Sequence, residues 1–239
     1  MRSLTRWKRW LLGGIVVLGL AVVVGPYLYI HVFSSKAPAQ LSLSTSPTTT
    51  ATASGQAAGD SSASVPLDGT WKVASGSVVG YRVKEVLFGQ SNTAVGRTSS
   101  VTGQIAVSGT TVSTGSFTVD MTTVSSDKPM RDRQFQGRIM DTFDYPTAKF
   151  TLTTPIDLGT VTADGVTKTV SATGDLTLHG TTKSVTVSLT ARRNANSIEV
   201  SGSIPITFAD YGISNPSFGG TVTTEDHGLL ELLVKFSHA

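Results

Sequence analysis

The chain has 239 residues, no cysteine, 39% hydrophobic and 15% charged residues, and a formal net charge of +3. It is too sparsely charged for a highly charged disordered protein or a helical coiled coil, and the lack of cysteine removes disulfides, thiolate zinc sites and cysteine nucleophiles. The sequence pI of about 9.2 belongs to one end: residues 1–36 carry Arg2, Arg6, Lys8, Arg9 and Lys36 with no acid, whereas residues 66–239 carry 14 Lys or Arg against 15 Asp or Glu. A body near −1, with no basic stripe interleaved with aromatics, lacks the phosphate-neutralising surface on which nucleic-acid binding depends.

Residues 1–9 form a basic segment. Trp10 to Phe33 then runs for 24 positions without a charge, and a helix rising about 1.5 Å per residue needs about 20 apolar residues to cross a hydrocarbon core. Trp7, Trp10, Tyr27 and Tyr29 flank it, where amphipathic rings favour the membrane interface. Residues 10–33 read as an uncleaved signal-anchor in a single-pass protein of the cell membrane, with a cytoplasmic N-terminus and everything after Phe33 outside. The competing reading is a cleaved leader, but its apolar region runs about 7–15 residues, and Ala37-Pro38-Ala39 is a poor cleavage site. Residues 34–65, rich in Ser, Thr, Ala and Pro, read as a disordered tether or an O-glycosylated stalk.

From residue 66 to 239 the apolar period becomes two, as in strands with one face buried. Short strands are expected at Trp71–Val73, Val79–Leu87 and Val101–Val107. Phe117, Val119 and Met121 alternate next, then Ala148, Phe150 and Leu152. Between them, Ser125–Pro146 breaks the pattern: Ser126, Asp127 and Pro129 suit a helix start, and Phe135 and Ile139 lie four apart, so a short helix or two is expected. Strands follow at Val170–Leu178, at Val185–Leu189, through Ile198, Val200, Gly202, Ile204, Ile206 and Phe208, and finally through Leu230, Leu232, Val234 and Phe236. Pro205 marks an edge, bulge or kink. Ser108-Gly109, Asp164-Gly165, His179-Gly180 and Asn194-Ala195-Asn196 are turn signals. About eight antiparallel strands close most economically into a barrel, which removes exposed edges. The fold class is therefore all-β: a roughly eight-stranded lipocalin-like antiparallel barrel with a short helical insert, after one N-terminal transmembrane helix.

Three segments resemble a known family. Asp127–Thr151 (DKPMRDRQFQGRIMDTFDYPTAKFT) is similar to a helix opened by an arginine–acid pair, then Phe-Asp, proline and a Phe-bearing strand. Gly174–Val187 (GDLTLHGTTKSVTV) is similar to a Gly-x-Leu-Thr-x-His-Gly-x-Thr-Lys hairpin, and Phe208–Phe236 has an Asp-aromatic-Gly turn before the last strand. In this order and spacing they resemble the YceI-like family of exported, lipocalin-like barrels that bind polyisoprenoid lipids. The resemblance implies a long apolar cavity for a polyprenyl or quinone-type chain, and no cofactor beyond such a bound lipid. The chain departs from the family pattern near its first strands: Gly76-Ser77 and Glu85-Val86-Leu87-Phe88-Gly89 stand where many members carry histidines.

The candidate cavity lining is Phe117, Val119, Met121, Phe150, Leu152, Ile204, Ile206, Phe208, Leu230, Leu232 and Val234. The same inward faces would equally fill an ordinary packed core. Arg131, Arg133 and Arg138 are head-group candidates, since a guanidinium offers fork-shaped donors to phosphate or carbonyl oxygens; the alternative is a solvated charged face. His179 and Asp210 are read as turn-structuring residues. His31, His227 and His238 stand isolated without metal-ligand spacing, so no metal site is expected. No G-x-S-x-G elbow, P-loop or dinucleotide motif occurs, and no catalytic residue is assigned. The expected function is a membrane-anchored, extracytoplasmic, non-enzymatic binding protein that sequesters or carries an isoprenoid lipid, with membrane and lipid as partners and no nucleic acid. The alternatives are a packed structural or partner-binding barrel and, further off, a hydrolase or isomerase using His179 beside a carboxylate.

Overall fold

The computed structural model describes residues 37–43, 65–87, 89–160, 164–220 and 222–239. The expected anchor at 10–33 and most of the tether lie outside them, and among the described residues no helix is long and apolar enough to cross a membrane. The elements are β1 (Gly69–Val73), β2 (Val78–Leu87), β3 (Gln90–Thr98), β4 (Val101–Ser108), β5 (Thr111–Asp120), β6 (Ser125–Ser126), α1 (Pro129–Gln134), β7 (Thr147–Leu152), β8 (Ile156–Asp157), β9 (Thr167–Leu178), β10 (Thr181–Asn194), β11 (Ser197–Thr207), β12 (Val222–Thr224) and β13 (His227–His238). Eight of them close an antiparallel ring, β1-β4-β5-β7-β9-β10-β11-β13, with β13 returning to β1. The all-β, eight-stranded closed barrel expected from the alternation is therefore the fold.

Two bent ribbons give the barrel its shape. β1 pairs with β4 (Trp71 opposite Ile105) and β2 with β3 (Val79 opposite Thr98). The segment 69–87 thus behaves as one strand bent at Ala74–Ser77, lying against 90–108 bent at Ser99–Ser100. β13 runs past this corner unbroken, pairing β2 at Leu229–Leu233 and β1 at Phe236–His238. Lys235 lies at the handover: its carbonyl accepts the Ala74 amide at 2.8 Å, and its amide donates to the Ser77 hydroxyl at 3.0 Å. That hydroxyl donates to the Ala74 carbonyl at 2.7 Å, and Ser77 is 2% exposed. At the other bend, Thr98 accepts from the Ser100 amide at 2.9 Å and shares a hydrogen bond with Thr123.

Beyond the corner, β5 and β4 no longer cover β3, whose outer edge pairs only with two-residue β6. The helical insert begins there: α1 has proline in its first turn and continues into a π-helical turn, Phe135–Ile139. Phe135, buried, stacks on Tyr81 of β2 with ring centroids 5.0 Å apart.

Several strands differ from their expected form. β3 was not expected, because its inward positions, fixed by pairing to Val79, Tyr81 and Val83, are Thr98, Gly96 and Ala94, too small or polar to signal a strand. Their smallness is required: a Cβ on Gly96 would lie 2.3 Å from the Tyr81 ring. β10 is longer than Val185–Leu189, because the further positions on its inward register, Thr181, Lys183, Ala191 and Arg193, are small, polar or charged and carry no apolar signal. Met121 and Phe208 each open a 3-10 turn rather than extending a strand. Pro205 lies inside β11, past Gly202 where pairing with β10 ends, so its missing N–H costs no ladder bond on that side.

Replacing Ser77 by Ala would leave the Lys235 amide without its acceptor at a buried corner. We expect a loss of about 1–3 kcal/mol in urea unfolding, with the barrel retained by circular dichroism.

Candidate functional site

Inward side chains of the barrel strands are mostly apolar, with Lys168 of β9 and Arg193 of β10 at the β4–β5 turn end, yet they do not fill the interior. A cavity of about 700 Å³ remains. It runs from the β4–β5 turn end, where Val107, Val112 and Leu158 line it, to the α1 end, where Met130, Arg138 and Phe218 line it. Phe117, Val119, Met121, Phe150, Leu152, Ile204, Ile206, Phe208, Leu230, Leu232 and Val234 all face this space. Tyr81, Leu176 and Val187 line it as well. Sequence reading did not single these three out, although the alternation of Val79, Tyr81 and Val83 places Tyr81 inward.

The walls divide into two packed groups. Trp71, fully buried, and Phe236 centre one, with Phe117 edge-on to Phe236 at 5.9 Å. Phe135, Leu176, Leu178 and Phe208 centre the other, beneath α1. Leu152 and Ile156 touch both.

Charge enters only at the ends. At the α1 end, Arg131 donates to Glu85 at 2.8 Å and also pairs with Asp127. Burial opposes its charge, but Glu85 and Asp127 outweigh that and raise its pKa, so the guanidinium stays charged. Glu85 is held in turn by the Asn92 amide at 2.7 Å. Burial pushes the Tyr81 hydroxyl well above the usual phenol range; Arg131 pulls it back only partly, against Asp132, Glu85 and Asp127. The phenol is therefore neutral wherever the protein is folded near neutral pH.

Arg138 spans the rim: its Nε donates to Gln134 at 3.1 Å, its Nη2 to the Pro216 carbonyl at 3.0 Å, and its guanidinium lies 6.0 Å from the Phe218 ring centre. The three arginines thus part company. Arg131 is already ion-paired inside the mouth, Arg138 is at its edge, and Arg133 is exposed outside the cavity lining.

His179 sits at the β9–β10 turn with φ of 49°. Its Nδ1 lies 3.2 Å from the Tyr211 carbonyl and its ring 4.6 Å from the Tyr145 ring, so it braces the hairpin against the Phe208–Tyr211 turn outside the cavity. No carboxylate is among these partners. Asp210 is exposed; its turn is closed by backbone bonds from Gly212 to Ala209 and from Ile213 to Phe208, with Gly212 at φ of 66°. Among the described residues no cluster of His, Asp and Glu could hold a metal ion.

The model of the YceI-like domain matches residues 71–236. No curated protein matches. Among solved structures, a polyisoprenoid-binding domain from Saccharophagus degradans implicated in plant cell wall breakdown superimposes with a TM-score of 0.58 at 16% identity, covering 71% of this chain and 98% of that one. BcnA of Burkholderia cenocepacia does so with a TM-score of 0.53 at 19% identity, covering 68% and 98%. At these identities the likeness establishes a common fold.

The raised phenol pKa gives a signed pH prediction. Tyr81 stabilises the fold fully below the unfolded tyrosine pKa of about 10, and that stability is lost as pH rises above it, because only the unfolded chain readily releases the proton. Tyr81→Phe should flatten the loss in urea-unfolding stability between pH 9 and pH 11.

Proposed function

The chain belongs to the YceI-like family, and from that premise we propose that it is a membrane-anchored extracytoplasmic protein that sequesters or carries an isoprenoid lipid, of polyprenyl or quinone type, without covalent chemistry. The observation that carries the reading is the cavity. About 700 Å³ of apolar space falls within the range of about 300–1,000 Å³ common for small-molecule sites. A core meant only for packing closes to voids little larger than water. Each methylene of a tail buried there contributes about 0.8 kcal/mol, so a few isoprene units offset the cost of association.

The α1 end supports delivery from a bilayer. Met130 and Phe218, which line the cavity at that end, are exposed large apolar residues, each at 67%. An apolar rim round an apolar opening fits apposition to lipid. Arg138, which already bridges Gln134, Pro216 and Phe218, is placed to exchange its carbonyl contact for a phosphate or carbonyl head group. Arg131, already matched by Glu85 and Asp127, holds the mouth in shape rather than offering a free cation.

The test is extraction of the full chain purified from its native membrane, followed by mass spectrometry. Recovery of an isoprenoid, and a raised melting temperature on adding quinone or polyprenol, are expected; neither occurring would overturn the reading. Val119→Trp, filling the cavity at a half-buried lining site, should displace a few methylenes and weaken binding about 10- to 100-fold. In Arg138→Ala, head-group-bearing lipid should lose more affinity than the bare hydrocarbon. Resistance of the chain to alkaline carbonate extraction checks the anchor.

A further inference from the structure

The wall holds an ionic cluster whose arginines, Arg82 and Arg97, lie outside the cavity lining. Glu231 of β13, opposite Gly80 of β2, lies on the outward register between Leu230 and Leu232; it borders the cavity wall, and its side chain is fully buried, at 0%. Arg97 of β3 donates to its Oε1 at 2.8 Å by crossing over β2 at Gly80. Only glycine allows that crossing, because a Cβ there would lie 2.8 Å from Arg97 Cγ and 2.2 Å from the Gly96 carbonyl oxygen. Arg82 of β2 approaches Oε2 at 3.5 Å. Val95, opposite Arg82 and so outward by register, is 7% exposed although it belongs to neither interior group.

Ala37–Leu43 lies on this cluster. The Pro38 carbonyl accepts from Arg82 Nη2 at 2.6 Å, the Ala39 carbonyl accepts from Arg97 Nη2, and the Leu41 amide donates to Glu231 Oε2 at 3.2 Å. Leu41 and Leu43 are half-buried, whereas Gln40 and Ser42 are exposed. Two guanidinium donors and one carboxylate acceptor thus read backbone atoms of a segment lying outside the matched domain.

We propose that the outer wall of β2, β3 and β13 is a binding site for a peptide backbone, and that its occupant is this chain's own Ala37–Leu43, which acts as a clasp. The consequence for placement rests on the reading of Trp10–Phe33 as a membrane anchor. Clasped, the barrel wall is joined to the anchor through residues 34–36, a reach of at most about 14 Å from Phe33 to Ala37. Released, the leash is the whole of 34–65, with a root-mean-square span of about 30 Å if it behaves as a flexible coil. The clasp therefore decides whether the barrel is held at the membrane surface or swings from it.

The experiment uses the full chain in nanodiscs. Hydrogen exchange of the Leu41 amide should be at least ~10-fold slower than in the 48–60 tract, as a hydrogen bond to a charged group implies. Leu41→Pro, which deletes that donor, should speed thermolysin cleavage before Leu43 about 10-fold, with the barrel still folded by circular dichroism. The chain has no native cysteine, so a donor dye on Ser184→Cys, an exposed β10 site, can report distance to head-group acceptors, and energy transfer should fall in Leu41→Pro. Fast Leu41 exchange in the wild-type chain, or unchanged cleavage in the variant, overturns the clasp. Altered cleavage with unchanged energy transfer overturns its role as a leash. Release of the chain by alkaline carbonate would overturn the anchor while leaving Leu41 protection as evidence for the clasp.

Discussion

The barrel depends on one strand serving two partners along one edge. β13 stays straight while the opposing strand bends away, so its outer edge is handed from β2 to β1 across Lys235. Backbone groups at such a handover lose their ladder partners, and burial without replacement is costly. Ser77 supplies the replacement with a single hydroxyl that donates to Ala74 and accepts from Lys235. Because this corner is stable, the β1–β4 half can close the ring while the β2–β3 half diverges from β5. The gap left by that divergence admits α1 and the π-helical turn, and the cavity opens beside them. A barrel of uniform strands would have closed at both ends.

Charge placement follows from the same geometry. Along the middle of the bore the inward positions are apolar, with Lys168 and Arg193 confined to its β4–β5 turn end, and the ionic groups midway along the wall lie on the outward register: Glu231 with Arg97 and Arg82, and Glu199 with Arg192 and Lys235. Burial works against the Glu199 charge, but hydrogen bonds from Arg192 and Lys235 outweigh it and hold its pKa below the usual carboxylate value. Such partly buried pairs add little net stability over apolar replacements, while removal of one partner is expensive. Their effect is to fix which side chain crosses to which strand. The Arg131–Glu85–Asp127 group differs, because it sits at the mouth and sets the potential there without intruding on the apolar bore.

Much of this was legible in period-two alternation. Ile204, Ile206, Leu230, Leu232 and Val234 face inward because a strand sends alternate side chains to opposite faces, and Phe135 with Ile139 marked the helical insert. β3 escaped because Gly96 and Ala94 must be small beneath Tyr81, and a small inward residue carries no hydrophobic signal. Met121 and Phe208 were read to the correct face but the wrong element, since a residue leaving a strand for a 3-10 turn can keep its side chain buried. Among the arginines, composition placed Arg131, Arg133 and Arg138 together, but only helix phase and the nearby Glu85 and Pro216 separated an ion-paired, an exposed and a rim position.

The sequence by itself determined the strand-rich fold, the turns, the inward lining and the family, because these depend on residues close in the chain and on a repeat of two. Tertiary structure decided what depends on distant pairs: that the lining leaves a cavity, that Arg97 crosses Gly80 to reach Glu231, and that Ala37–Leu43 rests on that cluster. Composition assigned the segment before the barrel to a featureless tether, since Ala, Pro, Ser and Leu announce no partner. Its backbone is held by Arg82, Arg97 and Glu231, and hydrogen bonds to backbone atoms leave no mark on the identity of the residues that make them.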